Sequence, residues 1–88
     1  MTLTEIKRRM LPGVRLLCVN NTYRPELNGT MRTVVQSGPS VWRWRLDGDK
    51  QLARSEWGRA SDSTIIDNDT FTLPLSRPGH FVTLRFVS

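Results

Sequence analysis

The segment VWRWRL, residues 41–46, decides the fold of this chain. Apolar and charged side chains alternate along it, which places Trp42 and Trp44 on one face of a β-strand. Arg43 and Arg45 then lie on the opposite face. A chain of 88 residues can hardly leave its largest apolar side chains in water. We therefore expect the tryptophans to fill the core and the two arginines to form a cationic exterior.

Similar alternation, punctuated by turn-forming residues, continues on both sides of this segment. Residues 57–62 are predicted to form an irregular or 3₁₀ connection. A small sheet with open edges is prone to aggregate, so closure into a barrel is the expected solution. The sequence predicts a mostly β domain over 1–88, a small SH3-like barrel of five to six antiparallel strands. The predicted strands cover residues 14–19, 30–36, 51–56, 70–75 and 82–86 besides 41–46, with a brief additional strand at 65–66.

A short helix is predicted before the barrel, within residues 1–11. Thr4 is the expected N-cap, and the three basic residues 7–9 suit the last helical turn. Leu3, Ile6 and Met10 recur at helical spacing and predict one apolar stripe. Pro12-Gly13 stops the helix, and the barrel is expected over 13–87.

The chain resembles the SH3-like small barrels of the KOW type over residues 12–36. It has a proline-glycine pair before the first strand, PGVRLLCV, then a loop with Tyr23 and Pro25, then a glycine that opens a valine-rich strand, GTMRTVV. The loop is not the usual basic, glycine-rich one. Such barrels commonly bind RNA, DNA, or ribosomal and transcription partners, so the resemblance implies a binding function. In its length and general sequence character, the chain is also similar to small uncharacterised proteins encoded by actinobacterial phages.

Thirteen Lys and Arg residues against eight Asp and Glu give a formal net charge of +5. Eleven of the thirteen cations are arginine, whose planar fork pairs with phosphate or carboxylate. This excess favours an anionic partner, either nucleic acid or an acidic protein surface. Codon usage in a GC-rich genome explains it equally well. The single cysteine allows no intrachain disulfide, and no stretch is apolar enough to span a membrane, so a cytoplasmic location is expected.

The arginine face of the central strand is the best candidate site. We expect Arg15, Arg32 and Arg54 on neighbouring strands to extend the surface that Arg43 and Arg45 begin, and such a surface tracks phosphates. Tyr23, in a loop, is the candidate for stacking on a base. The alternative is that this face is only solvated, or that its charge is consumed by Glu56 or Asp49.

No constellation of residues predicts catalysis, a metal or a cofactor. His80 is the one histidine and Cys18 the one cysteine, too few for a zinc site. Cys18 is expected in the core, with no histidine near it in the sequence to activate the thiol. The acidic clusters at 47–49 and 67–69 lack the residue spacing of a calcium-binding loop, so they predict turns. The chain is therefore expected not to be an enzyme.

A protein-interaction module is the alternative function. SH3-like barrels often present a groove beside their long first loop, here residues 20–28. Tyr23, Pro25, Leu27 and an exposed tryptophan would line it. In that hypothesis the chain binds or inhibits a host protein. A homodimer formed by pairing of edge strands is a third possibility.

Overall fold

The computed structural model describes residues 1–47 and 56–87. They form one short helix, seven antiparallel strands and two 3₁₀ turns, so the prediction of a mostly β fold with an N-terminal helix is confirmed. The 3₁₀ turns cover Pro25–Leu27 and Ala60–Asp62. The helix and strands are α1 Leu3–Arg9, β1 Arg15–Asn21, β2 Met31–Ser37, β3 Val41–Leu46, β4 Glu56–Arg59, β5 Thr64–Ile65, β6 Thr70–Pro74 and β7 Phe81–Phe86.

Two boundaries differ from the prediction. Of the strand expected over 51–56, residues 51–55 lie outside the described part of the chain. The described strand β4 instead continues through Trp57–Arg59, which were expected to be irregular, and only Ala60–Asp62 forms the 3₁₀ turn. Pairing with β3 overrides the weak strand propensity of Gly58, because the tryptophan strand supplies a complete ladder from Trp44 to Val41. The two-residue β5 brings the described strands to seven.

All the strands belong to one sheet with the order β4-β3-β2-β1-β7-β6-β5, curled into a half-barrel. Two register shifts help it to curl, one between Cys18 and Asn20 on β1 and one between Val34 and Gln36 on β2. An extra residue on one strand increases local twist and bends it. Every described strand pair is antiparallel and joins strands adjacent in the order.

The concave face of the half-barrel holds the core. Trp42 and Trp44 are fully buried there, as the alternation in β3 predicts, while Arg43 and Arg45 are exposed on the convex face. Phe71 of β6 meets the Trp42 ring edge-on with 6.1 Å between the ring centroids. The remaining core side chains include Leu16, Cys18, Val34, Leu73, Val82, Leu84 and Phe86.

Helix α1 packs its apolar stripe against this core. Ile6 is buried within α1, and Met10, which caps its C-terminal end, is buried too, as their spacing predicts. The N-cap is Thr2 and not Thr4, since the Thr2 hydroxyl accepts the Glu5 N–H and the helix begins at Leu3. No helix in residues 1–47 or 56–87 has the length and apolar character needed to cross a membrane.

A salt bridge and a cation–π contact attach the end of α1 to the sheet. Arg9 pairs with Asp69 at 3.1 Å and donates a hydrogen bond to the Asn68 carbonyl at 2.9 Å. Its guanidinium carbon lies 4.1 Å from the centre of the Phe86 ring. These contacts hold the end of the helix against the turn before β6 and against β7.

Gly58 lets the two sides of the half-barrel approach each other. A Cβ atom at this position would lie 2.8 Å from Leu73 Cδ1 on β6 and 2.9 Å from Trp44 Cη2. β4 and β6 are not hydrogen-bonded partners, so their contact is made by side chains. The approach of β4 to β6 therefore depends on a residue without a side chain.

We predict that Gly58→Ala lowers the free energy of unfolding by about 1–3 kcal/mol, because the added methyl overpacks the core. Urea denaturation, monitored by circular dichroism, measures this loss of stability. Gly38→Ala is the control, since its Cβ would meet one backbone oxygen, that of Val41, at 3.3 Å. Equal stability of Gly58→Ala and the wild type would contradict the role given to Gly58.

Candidate nucleic-acid interface

An exposed tryptophan surrounded by arginines lies on the convex face of β3 and β4. Arg43 is directly opposite Trp57 in the ladder, so their side chains share a face. Trp57 is 54% exposed, and the Arg59 guanidinium carbon lies 5.9 Å from its ring centre. Arg45 follows Arg43 on the same face of β3. We call Arg43, Arg45, Trp57 and Arg59 the outer platform.

The three arginines of the outer platform form no salt bridge in the described part of the chain, which leaves out Asp49, one of the carboxylates expected to pair with them. Within the described residues, no carboxylate lies within 4.0 Å of the guanidinium groups of Arg43, Arg45 or Arg59. All three side chains are exposed. Arginines on adjacent strands around an indole ring combine phosphate binding with a stacking surface, the two interactions that single-stranded nucleic acids use.

Arg15 lies on the same convex face, but its guanidinium group is paired with the carboxylate of Asp47. The register pairs Arg15 with Thr33 and Thr33 with Arg45, so the three side chains form a row across β1, β2 and β3. Asp47 forms a salt bridge with Arg15 and accepts the Thr33 hydroxyl at 2.7 Å. The hydrogen bond from Thr33, followed by the one from Arg15, holds the pKa of Asp47 below its ordinary value. Arg15 thus contributes less free positive charge than its sequence position suggests.

Arg32 was expected on the exterior, and that prediction is wrong. Its relative exposure is 0%, because β2 turns Arg32 to the concave face together with Val34. Arg32 and Val34 lie two positions apart in a strand, and this spacing was the sequence signal that both side chains share a face. The extra residue at Val35 obscured it, since the bulge makes two successive positions, Val35 and Gln36, exposed.

An ion pair with Glu56, whose own side chain is 26% exposed, accounts for the buried Arg32. Its Nε donates to Glu56 Oε1 at 2.6 Å, and the Trp44 indole N–H donates to the same oxygen at 3.3 Å. Arg32 Nη2 has no hydrogen-bond partner among the described residues. Burial raises the pKa of the nearby Cys18 thiol, and the positive Arg32 lowers it by a smaller amount. Arg32 therefore anchors β4 to the core instead of meeting a ligand.

Tyr23 is exposed, as a stacking role requires, but it lies away from the outer platform. Asn21 accepts the backbone N–H groups of Tyr23 and Arg24 and so fixes the loop after β1. The Tyr23 ring meets His80 edge-on at 5.2 Å. The Arg77 guanidinium lies 5.1 Å from the Tyr23 ring centre and that of Arg24 5.9 Å. Tyr23 thus belongs to a separate aromatic and cationic cluster at the far end of β1.

The structure brings together three of the residues predicted as the site, Arg15, Arg43 and Arg45, on one face. Arg54 lies outside the described residues. The sequence did not single out Trp57 or Arg59 for the site, because residues 57–62 were expected to form an irregular or 3₁₀ connection. The alternation of Trp57, Gly58 and Arg59 was the signal, since a small residue between two large ones in a strand suits an outward-facing pair.

Comparisons of the chain with protein-family models, with curated proteins and with solved structures found no match. The KOW-type resemblance stays a prediction.

We predict that iodide quenches one distinct fraction of the tryptophan fluorescence, and that Trp57→Phe removes this fraction. Trp42 and Trp44 are 0% and 1% exposed, whereas Trp57 is 54% exposed. The measurement is a Stern–Volmer titration of both proteins. If iodide still quenches this fraction of the fluorescence in Trp57→Phe, then one of the core indoles reaches solvent.

We predict that Glu56→Gln lowers the free energy of unfolding by about 3 kcal/mol, because it leaves the buried Arg32 charge without its counterion. The double variant Arg32→Met with Glu56→Gln should lose less than Glu56→Gln alone, since no buried charge remains. Asp69→Asn, which breaks the exposed Arg9 pair, is the control and should cost at most about 1 kcal/mol. A double variant less stable than Glu56→Gln alone would contradict this reading.

Proposed function

We propose that this protein binds nucleic acid through the outer platform. The observation that carries the proposal is the exposed Trp57 between Arg43, opposite it on β3, and Arg59, two residues along β4. A base stacks on the indole ring, and the guanidinium groups contact the flanking phosphates. Arg45 extends the cationic surface along β3, and the net charge of +5 adds long-range attraction.

The backbone of the outer platform is held before a ligand arrives. Glu56 is bound to Arg32 and Trp44 on the concave face, and Gly58 packs against Leu73. Trp57 and Arg59 alternate with these two inner residues, so they point outward. A rigid stacking surface loses less conformational entropy on binding than a loop does.

We predict that a fluorescein-labelled 20-nucleotide single strand binds with an affinity that falls steeply as salt rises. Affinity falls with salt, so the slope of log K against log salt is negative, and each lost arginine–phosphate contact should reduce its magnitude by about 0.7. Arg43→Gln with Arg45→Gln should therefore reduce this magnitude by about 1.4. Trp57→Ala should weaken binding about 5- to 150-fold. Fluorescence anisotropy between about 50 and 300 mM salt measures both effects, a range across which phosphate contacts weaken strongly.

Lys7→Gln with Arg8→Gln removes the same charge from the exposed face of α1 and is the matched control. It should leave the salt slope close to that of the wild type. Equal losses in the two double variants would mean that net charge alone attracts the strand. Affinity that is independent of salt would reject arginine–phosphate binding altogether.

A protein partner is the second candidate, and the cluster around Tyr23 is the observation that favours it. Tyr23 is 41% exposed and has two guanidinium groups within 6 Å of its ring, a surface suited to an acidic peptide. Tyr23→Ala and Trp57→Ala, measured with the same labelled strand, locate the nucleic-acid site. Binding of the single strand that is lost in Tyr23→Ala and kept in Trp57→Ala would move the nucleic-acid site away from the outer platform.

A further inference from the structure

A cleft opens at the edge of the outer platform, between β4 and the segment that follows β6. Its volume is about 400 Å³, within the range of small-molecule sites. Trp44, Leu73 and Val82 form its apolar floor, and Trp57 and Arg59 form one rim. A space of this volume is large enough for a nucleobase, and the exposed indole of Trp57 lines it.

The polar groups of the cleft include two carboxylates, Glu56 and Asp62. Oε1 of Glu56 accepts from Arg32 and Trp44, whereas its second oxygen has no hydrogen bond among the described residues. The Asp62 side chain likewise has no hydrogen bond within residues 1–47 and 56–87, and it lies at the end of the 3₁₀ turn after β4. Ionised carboxylates only accept hydrogen bonds, so a ligand group that contacts Glu56 and Asp62 must donate to them.

We propose that the cleft binds one unpaired base that carries an exocyclic amino group, next to the base stacked on Trp57. Cytosine presents an N4 amino group, and carboxylates are its matching acceptors. Thymine presents the O4 carbonyl at the same position, and this oxygen would face carboxylate oxygens without a proton between them. The inference rests on the proposed nucleic-acid binding and deepens it, because it specifies a single strand and a base preference.

The neighbouring charges direct the phosphates and the base of the ligand to two different surfaces. Arg59 lies at the junction, since it belongs to the outer platform and to the rim of the cleft. Phosphates bind the arginines of the outer platform, and the base turns away from them toward Glu56 and Asp62. A base in a duplex cannot reach the cleft because its amino group is already paired, so single strands are preferred over duplexes.

The test compares labelled 12-nucleotide strands of oligo(dC) and oligo(dT) by fluorescence anisotropy at one salt concentration. The wild type should bind oligo(dC) about tenfold more tightly. Asp62→Asn should lower this preference toward unity, because an amide both accepts from an amino group and donates to a carbonyl. A 12-base-pair duplex of mixed sequence should bind more weakly than oligo(dC).

Asp67→Asn is the matched control, because it changes the net charge equally at an exposed turn outside the cleft. Asparagine can still accept the Asp69 N–H that Asp67 accepts. The control should keep the preference for oligo(dC). An equal loss of preference in both variants would overturn the inference, since it would show a general charge effect.

The remaining outcomes separate the inference from the function on which it rests. Equally tight, salt-dependent binding of oligo(dC) and oligo(dT) overturns the base preference and leaves nucleic-acid binding standing. Duplex binding as tight as oligo(dC) binding overturns the single-strand assignment. No binding of any strand at low salt rejects the proposed function itself.

Discussion

The burial of two indole rings on one face of β3 is the constraint on which the rest of the structure depends. Trp42 and Trp44 are 0% and 1% exposed. A side chain of this size buries roughly 200 Å², which stabilises the fold by about 5 kcal/mol at most for each ring. That is comparable with the whole stability of a small domain. A slip of β3 by one residue would bury Arg43 and Arg45 instead, so its register is strongly specified.

The short strand β4 connects this core to the candidate site. Its inward residues are Glu56, which neutralises the buried Arg32, and Gly58, which fits against Trp44 and Leu73. Its outward residues are Trp57 and Arg59. Because inward and outward residues alternate, the contacts that hold β4 in place also orient the exposed indole. The Arg32 charge is costly to bury, and the effect of its pairing with Glu56 on the site is to fix the position of β4.

Opposite charges lie on the two sides of Trp57. The arginines of the outer platform are exposed on the convex face, whereas Glu56 and Asp62 line the cleft beyond the edge of β4. A folded polyanion such as a duplex presents phosphates in every direction, so only the arginines of the outer platform would attract it. A single strand can turn its phosphates toward the arginines and a base toward the carboxylates, so this arrangement suits a flexible ligand with two chemically different sides.

Sequence alone determined the fold class, the N-terminal helix and the faces of β3, because alternation and helical spacing are local patterns that the backbone geometry converts directly into faces. It did not determine the position of Arg32, since a bulge shifts the alternation of β2 and only the partner strands show which side is concave. The cleft beside Trp57 arises from the curl of the sheet, which brings β4 to β6 without hydrogen bonds between them. That approach joins residues far apart in the chain, and no local pattern of residues records it.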